Sequence, residues 1–213
     1  MNLSKLLDQE AERLSSDILN YNFEDFSHYI AWAAQHYRLI QNTPHLLHLC
    51  TANVDVQNIE LFDEFEHHLE EEKKHDVMLL NDTKKLGVDI TTHPISTPVH
   101  TIIDLQHYYI NKYGPLVFLG YGLLLEGITY KVGKIVADRI ATAHKGRSVF
   151  LDIHVKSDDT HYPDGMQRID NFIQDEISKK MFLRNLKISS FNYSRLLEEA
   201  SVSAQLLKGS QAA

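Results

Sequence analysis

Three side chains in one short segment have the types and the spacing of metal ligands. His154, Asp158 and His161 form a His-x-x-x-Asp-x-x-His sequence. An α-helix turns about 100° per residue, so offsets of four and seven return side chains to one face. Two imidazoles and a carboxylate on one face are suitable ligands for a first-row metal ion. Taken alone, the segment is equally compatible with a solvated helical face.

A second segment repeats this spacing. In the sequence HLEEEKKH, the residues His68, Glu72 and His75 again lie at offsets of zero, four and seven. Glu72 and His75 also form the Glu-x-x-His pair that supplies ligands in carboxylate-bridged dimetal helix bundles. Taken alone, this segment is also compatible with a solvated acidic helix.

A third candidate is a single acid in an apolar segment. Glu126 is the only charged residue between Lys112 and Lys131. A buried carboxylate costs several kcal/mol unless it is paired or bound to a metal. Pairing with Lys131 or Arg139 is the alternative explanation. Together the three segments offer three imidazoles and three carboxylates, enough for two metal ions: Glu72, His75, Glu126, His154, Asp158 and His161.

The elements that carry these residues are predicted to be helices. Apolar residues follow helical periodicity, and we find no convincing strand alternation. We predict helices over residues 4–20, 23–36 and beyond, 55–86, 99–112 and 116–143, one that begins at the N-cap Ser148, and one or two over 166–207.

Glycine and proline set the expected helix ends. Pro44 is predicted to interrupt the second helix, with a short helix following to Cys50. Gly87 is predicted to end the third helix, and Pro163–Gly165 to stop or bend the segment after His161. Glycines in the fifth helix, Gly120, Gly122, Gly127 and Gly133, are expected to allow close helix packing. Seven or eight helices then form one all-α domain over residues 1–213, with a frayed tail from about residue 208.

Composition narrows the class of protein. The chain has 213 residues, 43% hydrophobic and 23% charged, as in soluble globular proteins. A net charge of −8 argues against a nucleic-acid partner. The single cysteine, Cys50, excludes an intrachain disulfide framework and a cysteine-based metal site. The N-terminus lacks the apolar core of a signal peptide, and Pro115–Leu125 is too short to cross a bilayer. We expect a cytoplasmic protein without a membrane partner, and apolar helical faces favour a homodimer.

With these residues the chain resembles the haem-oxygenase-like helical proteins that carry a non-haem di-iron site. That group includes the chlamydial death-domain-associating-protein-like oxidases and the alkene-forming fatty-acid decarboxylases. It shares its fold with the TenA thiaminases and the pyrroloquinoline-quinone synthase. The resemblance extends over about residues 23–197 in helix order and length. Its specific part is an early Glu-His pair, a mid-chain Glu and a late His-x-x-x-Asp-x-x-His, and it implies that the six residues above bind two iron ions.

The resemblance leaves the first carboxylate open. The spacing from the first Glu to its His varies in the group, so Glu71 is an alternative to Glu72, whose offsets copy the second face. His68 lies where some relatives place the carboxylate, as a replacement ligand or as a partner of a ligand. Asp76 and Asp159 are further candidates for orienting the imidazoles.

The resemblance and the ligand types predict an O2-activating oxidase or oxygenase for a small organic substrate in a biosynthetic pathway. Imidazole together with carboxylate favours iron, with manganese as the alternative, over calcium or magnesium. Glu126 is expected to bridge the two ions. Tyr121 and Tyr130, about one turn on either side of Glu126, either face the site or pack in the core. The electron donor is not identified.

Two other classes of function stay open. A metal-free enzyme or binding protein, similar to the quinone synthase, would use the His and Glu residues to bind an organic acid or cofactor precursor. A non-enzymatic interaction protein would have only solvated polar faces. A TenA-type thiaminase needs a nucleophilic cysteine, and no matching motif surrounds Cys50. A true haem oxygenase would use one proximal histidine, His28 or His36, and would leave the six-ligand set unexplained.

Overall fold

Helices account for nearly all of the structure. The computed structural model describes residues 2–211, with side chains up to Leu206. The α-helical segments are α1 (Leu3–Asn20), α2 (Phe26–Ala52), α3 (Ile59–Glu72), α4 (His75–Lys85), α5 (Thr97–Tyr113), α6 (Leu119–Ile128), α7 (Lys134–His144), α8 (Val149–Phe172) and α9 (Glu176–Gln211). A π-helical turn, Thr129–Gly133, joins α6 to α7, and two residues separate α3 from α4. Residues 2–211 thus form helices and no strand, and the all-α prediction is confirmed.

Two long helices pass through the centre of the bundle. α2 packs against α3, α5 and α9, while α9 also packs against α1 and α6. Tyr29, Leu39 and Leu46 of α2 and Phe182 and Leu196 of α9 are each at most 1% exposed. Removing such apolar surface from water is the main source of the stability of this core. α8 packs against α4 and α6 at its side, so the predicted ligand helices are neighbours.

Two glycines in α6 allow neighbouring helices to approach closely, as predicted. A Cβ atom at Gly120 would lie 2.7 Å from the carbonyl oxygen of Phe182 in α9. At Gly127 it would lie 2.7 Å from the ring of Tyr162 in α8. Because Glu126 adjoins Gly127, this close contact also brings the acid toward α8.

Pro44 and Pro163 do not end helices, which corrects the predicted interruption at Pro44 and, of the stop or bend predicted at Pro163–Gly165, the stop. α2 continues through Pro44, so the predicted separate helix to Cys50 is part of α2, and α8 continues through Pro163. A proline inside a helix loses one hydrogen bond, but apolar residues are buried on both sides of each proline and their packing outweighs the loss. Gly165 serves packing rather than termination, since a Cβ there would lie 2.3 Å from Leu123 of α6.

The predicted single helix over residues 55–86 is divided, which is a further correction. α3 ends at Glu72 and α4 begins at His75. Between them Lys74 adopts a left-handed backbone conformation, with φ of 74°. Gly87, with φ of +85°, follows the end of α4 as predicted.

The helix Pro115–His144 is, within the described residues, the one long and apolar enough to cross a membrane. The continuous apolar stretch considered from the sequence, Pro115–Leu125, is too short to cross a bilayer. The helix in the structure that contains this stretch is longer. Of its most apolar 18-residue window, 56% is buried by other helices, as in the core helix of a bundle.

The frayed tail expected from about residue 208 stays a prediction. The helix continues to Gln211, and Ala212 and Ala213 lie outside the described residues. The organisation of residues 1–213 as one domain stays a prediction.

Candidate metal centre

The six predicted ligands come from four helices and meet in the interior of the bundle. They are Glu72 at the end of α3, His75 at the start of α4, Glu126 in α6, and His154, Asp158 and His161 in α8. They form two adjoining groups, and each group includes residues from at least two helices.

The first cluster consists of Glu72, His75 and His154. Nδ1 of His75 lies 3.1 Å from one carboxylate oxygen of Glu72, and Nε2 of His154 lies 3.7 Å from the other. The two imidazole rings have centroids 4.5 Å apart. One potential ligand atom from each residue lies within 4.8 Å of the other two. The three groups therefore have the spacing to hold one metal ion, although a helix break separates Glu72 from His75.

A hydrogen bond within α8 orients His154. Its Nδ1 atom lies 2.9 Å from the carbonyl oxygen of Phe150, and a carbonyl can only accept, so Nδ1 carries the proton. Nε2 faces Glu72, and it is the ring atom whose lone pair would be offered to a metal ion once its proton is displaced. A backbone carbonyl that fixes the imidazole in this way is a common feature of metal-binding histidines.

A buried acid connects α4 and α8, two of the three helices of the first cluster. Asp82 of α4 accepts hydrogen bonds from the hydroxyl of Ser148, at 2.9 Å, and from the amide of Phe150, at 3.1 Å. Ser148 itself caps α8, as predicted, by accepting from the amide of Leu151. Asp82 thus holds the start of α8 against α4 and fixes the separation of their ligands.

The charges of the first cluster compensate one another. Burial alone would raise the pKa of Glu72, but hydrogen bonds and charges from His154 and His75 outweigh burial and hold the pKa well below its ordinary value. Burial lowers the pKa of His154, but the hydrogen bond and charge of Glu72, the Phe150 carbonyl and the charge of Asp158 together outweigh burial, so the pKa is raised. Glu72 is therefore ionised beside two imidazoles.

The second cluster consists of His68, Glu71, Glu126, Asp158 and His161. Nε2 of His161 lies 3.3 Å from Glu71 Oε2, and its Nδ1 lies 3.8 Å from Asp158 Oδ1. Nε2 of His68 lies 4.0 Å from Glu126 Oε1, and the His68 ring centroid is 5.2 Å from that of His161. Both alternatives left open by the sequence, Glu71 and His68, thus lie beside the predicted ligands.

The second cluster contains more acid than its imidazoles compensate. Glu71 and Glu126 each have a buried Oε2 atom without a hydrogen-bond partner among the described residues. His161 lies close to Oε2 of Glu71, but the two do not form a hydrogen bond. Burial, followed by the charges of Asp158 and Glu72, raises the pKa of Glu126 well above its ordinary value. Burial also raises the pKa of Asp158 to about 7, although His154 opposes the shift.

These observations fit a pair of divalent cations. An unpartnered buried carboxylate oxygen costs free energy that a bound cation would recover. Mixed imidazole and carboxylate donors suit iron or manganese, and five or more such donors exceed the needs of one tetrahedral zinc ion. The first cluster provides donors for one ion, and the second cluster provides donors for another.

The alternative pairing of Glu126 with a basic residue is wrong. Nζ of Lys131 lies 2.8 Å from Asp8, and Nε of Arg139 lies 2.5 Å from Glu24. Both cations are thus paired with acids outside the clusters. Within the described residues, the nearest basic group to Glu126 is the imidazole of His68.

The two predicted tyrosines have different positions. Tyr121 is 2% exposed and lines the cavity beside the clusters. Tyr130 is 47% exposed and its ring contacts Tyr162, with centroids 5.4 Å apart, so it does not face the site. Asp76 and Asp159 do not hydrogen-bond to a ligand imidazole in the described part of the chain. Instead, the Phe150 carbonyl orients His154 and Glu72 orients His75, which is the role that was predicted for Asp76 and Asp159.

Four features of the site were missed from the sequence. His67 lies 3.5 Å from Glu71, but it is exposed, and its i to i+4 spacing from Glu71 was the available signal. Asp82 and the Phe150 carbonyl belong to no side-chain pattern. His36, which lines the same cavity, also lies outside every motif.

A largely apolar cavity of about 150 Å³ adjoins the clusters. Its acidic lining comes from Glu72, Glu126 and Asp158, and its other walls include side chains from α1, α2, α6 and α9. Leu119 and Leu123 of α6 also line the cavity. Cys50 is 0% exposed and is absent from the described lining of this cavity, and burial raises the pKa of its thiol. The cavity therefore lacks a cysteine nucleophile.

Comparisons with known proteins agree with this fold. No family model and no curated protein matches the sequence. A solved structure of a domain of unknown function with a heme oxygenase-like fold, from Shewanella denitrificans OS217, is similar over 98% of this chain and 95% of that chain. Its TM-score is 0.84 at 18% sequence identity. The chain has the haem-oxygenase-like fold.

Two further solved structures support the fold assignment. A TenA homologue from Pseudomonas syringae pv. tomato DC3000 has a TM-score of 0.77 at 10% identity, over 92% of this chain and 91% of that one. A CADD-like protein of unknown function from Nostoc punctiforme PCC 73102 has a TM-score of 0.65 at 12% identity, over 95% and 96%. The fold expected from the resemblance is thus confirmed. At such identities the likeness concerns the fold alone, and function must be argued from the site.

Proposed function

We propose that this haem-oxygenase-like protein is an O2-activating non-haem di-iron oxidase or oxygenase for a small organic substrate. One observation carries the proposal. Segments more than 25 residues apart in sequence bring four imidazoles and four carboxylates together, and two of the buried carboxylate oxygens have no hydrogen-bond partner among the described residues. A bound pair of cations is the simplest way to compensate that charge.

Each cluster has a role in this proposal. Two Fe(II) ions, or manganese as the alternative, would supply the electrons with which O2 is activated. Glu72, His75 and His154 would hold one ion, and Asp158, His161 and Glu126 would hold the other. Glu126 is also the proposed bridge, because a carboxylate offers two oxygens.

The second cluster contains further donors beyond the predicted six. Glu71 and His68 stand close enough to complete or replace a ligand there. Their contributions determine whether the second ion has more imidazole or more carboxylate donors.

The surrounding residues would control access to the site. The apolar cavity excludes water from the clusters and would hold the substrate next to them. Tyr121 lines this cavity, and burial raises the pKa of its hydroxyl far above the ordinary value, so the hydroxyl stays protonated. Tyr121 is thus available as a hydrogen-bond donor, not as a phenolate.

Anaerobic iron titration tests the proposal. We expect about two Fe(II) per chain, with a Mössbauer spectrum of two high-spin ferrous ions, and a transient visible absorption when O2 is added. His154→Ala and Glu126→Ala should each lose iron. His100→Ala, which alters an exposed histidine on α5, is the matched control and should bind iron as the wild type does.

Two outcomes would overturn the proposal. If both ligand variants take up iron like the wild type, the clusters are not the metal site. If the wild type takes up no metal and binds an aromatic or quinone acid tightly, the metal-free enzyme becomes the better account. The compensated charges of Glu72 favour that second candidate, because the first cluster needs no cation.

Further parts of the proposal concern the cellular context. We propose a cytoplasmic protein that acts in a biosynthetic pathway, receives electrons from a separate donor and forms a homodimer. Light scattering of the purified chain tests the homodimer directly.

A further inference from the structure

A buried hydrogen-bond chain fixes the proton on one histidine of the cavity. Nε1 of Trp32 donates to the hydroxyl oxygen of Tyr193 at 3.3 Å, and the same hydroxyl lies 3.1 Å from Nδ1 of His36. An indole N–H can only donate. The Tyr193 proton therefore has one acceptor among its described partners, which is His36 Nδ1.

This arrangement determines the state of His36. Because Nδ1 accepts from Tyr193, the ring is neutral and its proton is on Nε2. Burial, together with the charge of His154, lowers the pKa of His36 to about 3, which agrees with a neutral ring. Trp32 stacks on the ring at 4.8 Å and Phe150 contacts its edge at 5.6 Å, so the ring plane is held in place.

His36 has one polar atom left for a ligand. It lines the cavity, and among the residues described Nε2 has no hydrogen-bond acceptor. Phe150 contacts both His36 and His154, with ring centroids 5.6 Å and 4.2 Å away. The ring of Phe150 therefore links the ring of His36 to His154 of the first cluster.

The lining of the cavity limits the charge and size of a ligand. No lysine or arginine is among the described lining residues, while Glu72, Glu126 and Asp158 are. A carboxylate buried at the His36 end would thus lack a countercharge. The volume of about 150 Å³ matches that of a protein cavity known to bind benzene.

We propose that the substrate is a small, mainly apolar molecule with an uncharged hydrogen-bond acceptor, such as a carbonyl oxygen, which the Nε2–H group of His36 positions beside the clusters. This inference rests on the proposed function for the reaction of the bound substrate, whereas the binding of the substrate itself does not require the metal. His36 is in this account a substrate-positioning residue.

Binding of probe molecules to the metal-free protein tests the inference. Acetophenone has a neutral acceptor, ethylbenzene lacks it, and benzoate is anionic. Trp32 is the only tryptophan of the chain, so its indole N–H gives a single NMR signal next to His36. Titrations in EDTA that follow this signal measure the affinity of each probe without any contribution from iron.

We expect acetophenone to bind the wild type about three- to tenfold more tightly than it binds His36→Phe, the range for one net hydrogen bond. Ethylbenzene should bind both proteins equally, and His36→Gln, which keeps an N–H donor, should recover most of the difference. Benzoate should bind the wild type at least about tenfold more weakly than acetophenone. His36→Phe should still take up two irons per chain, so a failed di-iron proposal would be recognised separately.

Two results would overturn the inference. The first is a binding result: either acetophenone binds the wild type and His36→Phe with equal affinity, or benzoate binds the wild type more tightly than acetophenone does. The other needs no variant: ¹⁵N NMR of the wild-type histidines should show His36 with its proton on Nε2, and a proton on Nδ1 would exclude the proposed donor.

Discussion

The two clusters of the candidate metal centre differ in how their charge is balanced. In the first cluster one carboxylate, Glu72, lies between two imidazoles, and its pKa is lowered. In the second, three carboxylates share two imidazoles, and the pKa of both Glu126 and Asp158 is raised. The protein thus stabilises its first cluster with its own groups, whereas the second depends on added positive charge, from a proton or a cation.

This contrast predicts opposite effects of removing a side chain. In the first cluster a missing imidazole leaves a buried carboxylate without its partner. In the second a missing carboxylate relieves repulsion. The metal-free protein should therefore lose stability in one case and gain it in the other, while both changes impair metal uptake.

The largest effect is expected for His154→Ala in the first cluster. Breaking a buried ion pair should lower the free energy of unfolding of the metal-free protein by about 3 kcal/mol. Urea denaturation in EDTA measures this change. His67→Ala, which removes a mostly exposed imidazole from the same region, should cost less than about 0.5 kcal/mol. Equal losses in both variants would mean that the first cluster is not a compensated pair.

Glu126→Gln should act in the opposite direction. Replacing the repelled carboxylate by a neutral amide should raise the free energy of unfolding in EDTA at pH 8 by about 1–2 kcal/mol. The same variant should lose iron from the second cluster. A destabilised Glu126→Gln protein would show that Glu126 is already compensated and would remove the contrast between the clusters.

A pH series sharpens the contrast through Asp158. Its pKa of about 7 in the folded protein lies above its ordinary value, so folding favours the protonated form. That contribution is complete at low pH and is lost as the pH rises from about 4 to about 7. Asp158→Asn keeps a neutral group, so its stability relative to the wild type should increase by about 1–2 kcal/mol between about pH 5 and about pH 6. Parallel pH profiles of the two proteins would contradict the raised pKa.

The smallest effect is expected from the link between α4 and α8. Asp82→Asn should cost about 1 kcal/mol, because a neutral amide oxygen accepts the two hydrogen bonds from the start of α8 more weakly than a carboxylate does, and the ion pair with Lys85 is lost. It should also weaken metal binding at the first cluster more than at the second. Asp152→Asn, at a half-buried position in the first turn of α8 where the acid pairs with Arg147, is the matched control. Equal metal affinities in the two variants would remove the positioning role of Asp82.

The sequence was sufficient to predict the helical fold and the segments that meet. Periodicity located the helices, and the fixed turn of α8 placed His154, Asp158 and His161 on one face. The break at Lys73–Lys74 could not be predicted, since neither glycine nor proline marks it and the segment contains good helix formers. It arises where α3 and α4 must each pack separately on α2.

That break explains why the choice between Glu71 and Glu72 stayed open. The helical offsets assumed for the segment from His68 to His75 do not apply across a left-handed residue. In the structure Glu72 faces His75 and His154, while Glu71 faces His161 in the other cluster. Partners such as the Phe150 carbonyl depend on tertiary contacts and backbone atoms, which no side-chain pattern reveals.

Anomalous diffraction from crystals loaded anaerobically with Fe(II) tests the central claim most directly. We predict two iron peaks inside the bundle, one bonded to Nε2 of His154 and one bonded to His161. We expect a carboxylate of Glu126 or Asp158 at the second ion. A single interior peak, or none in crystals whose solution contains excess iron, would contradict a two-metal centre.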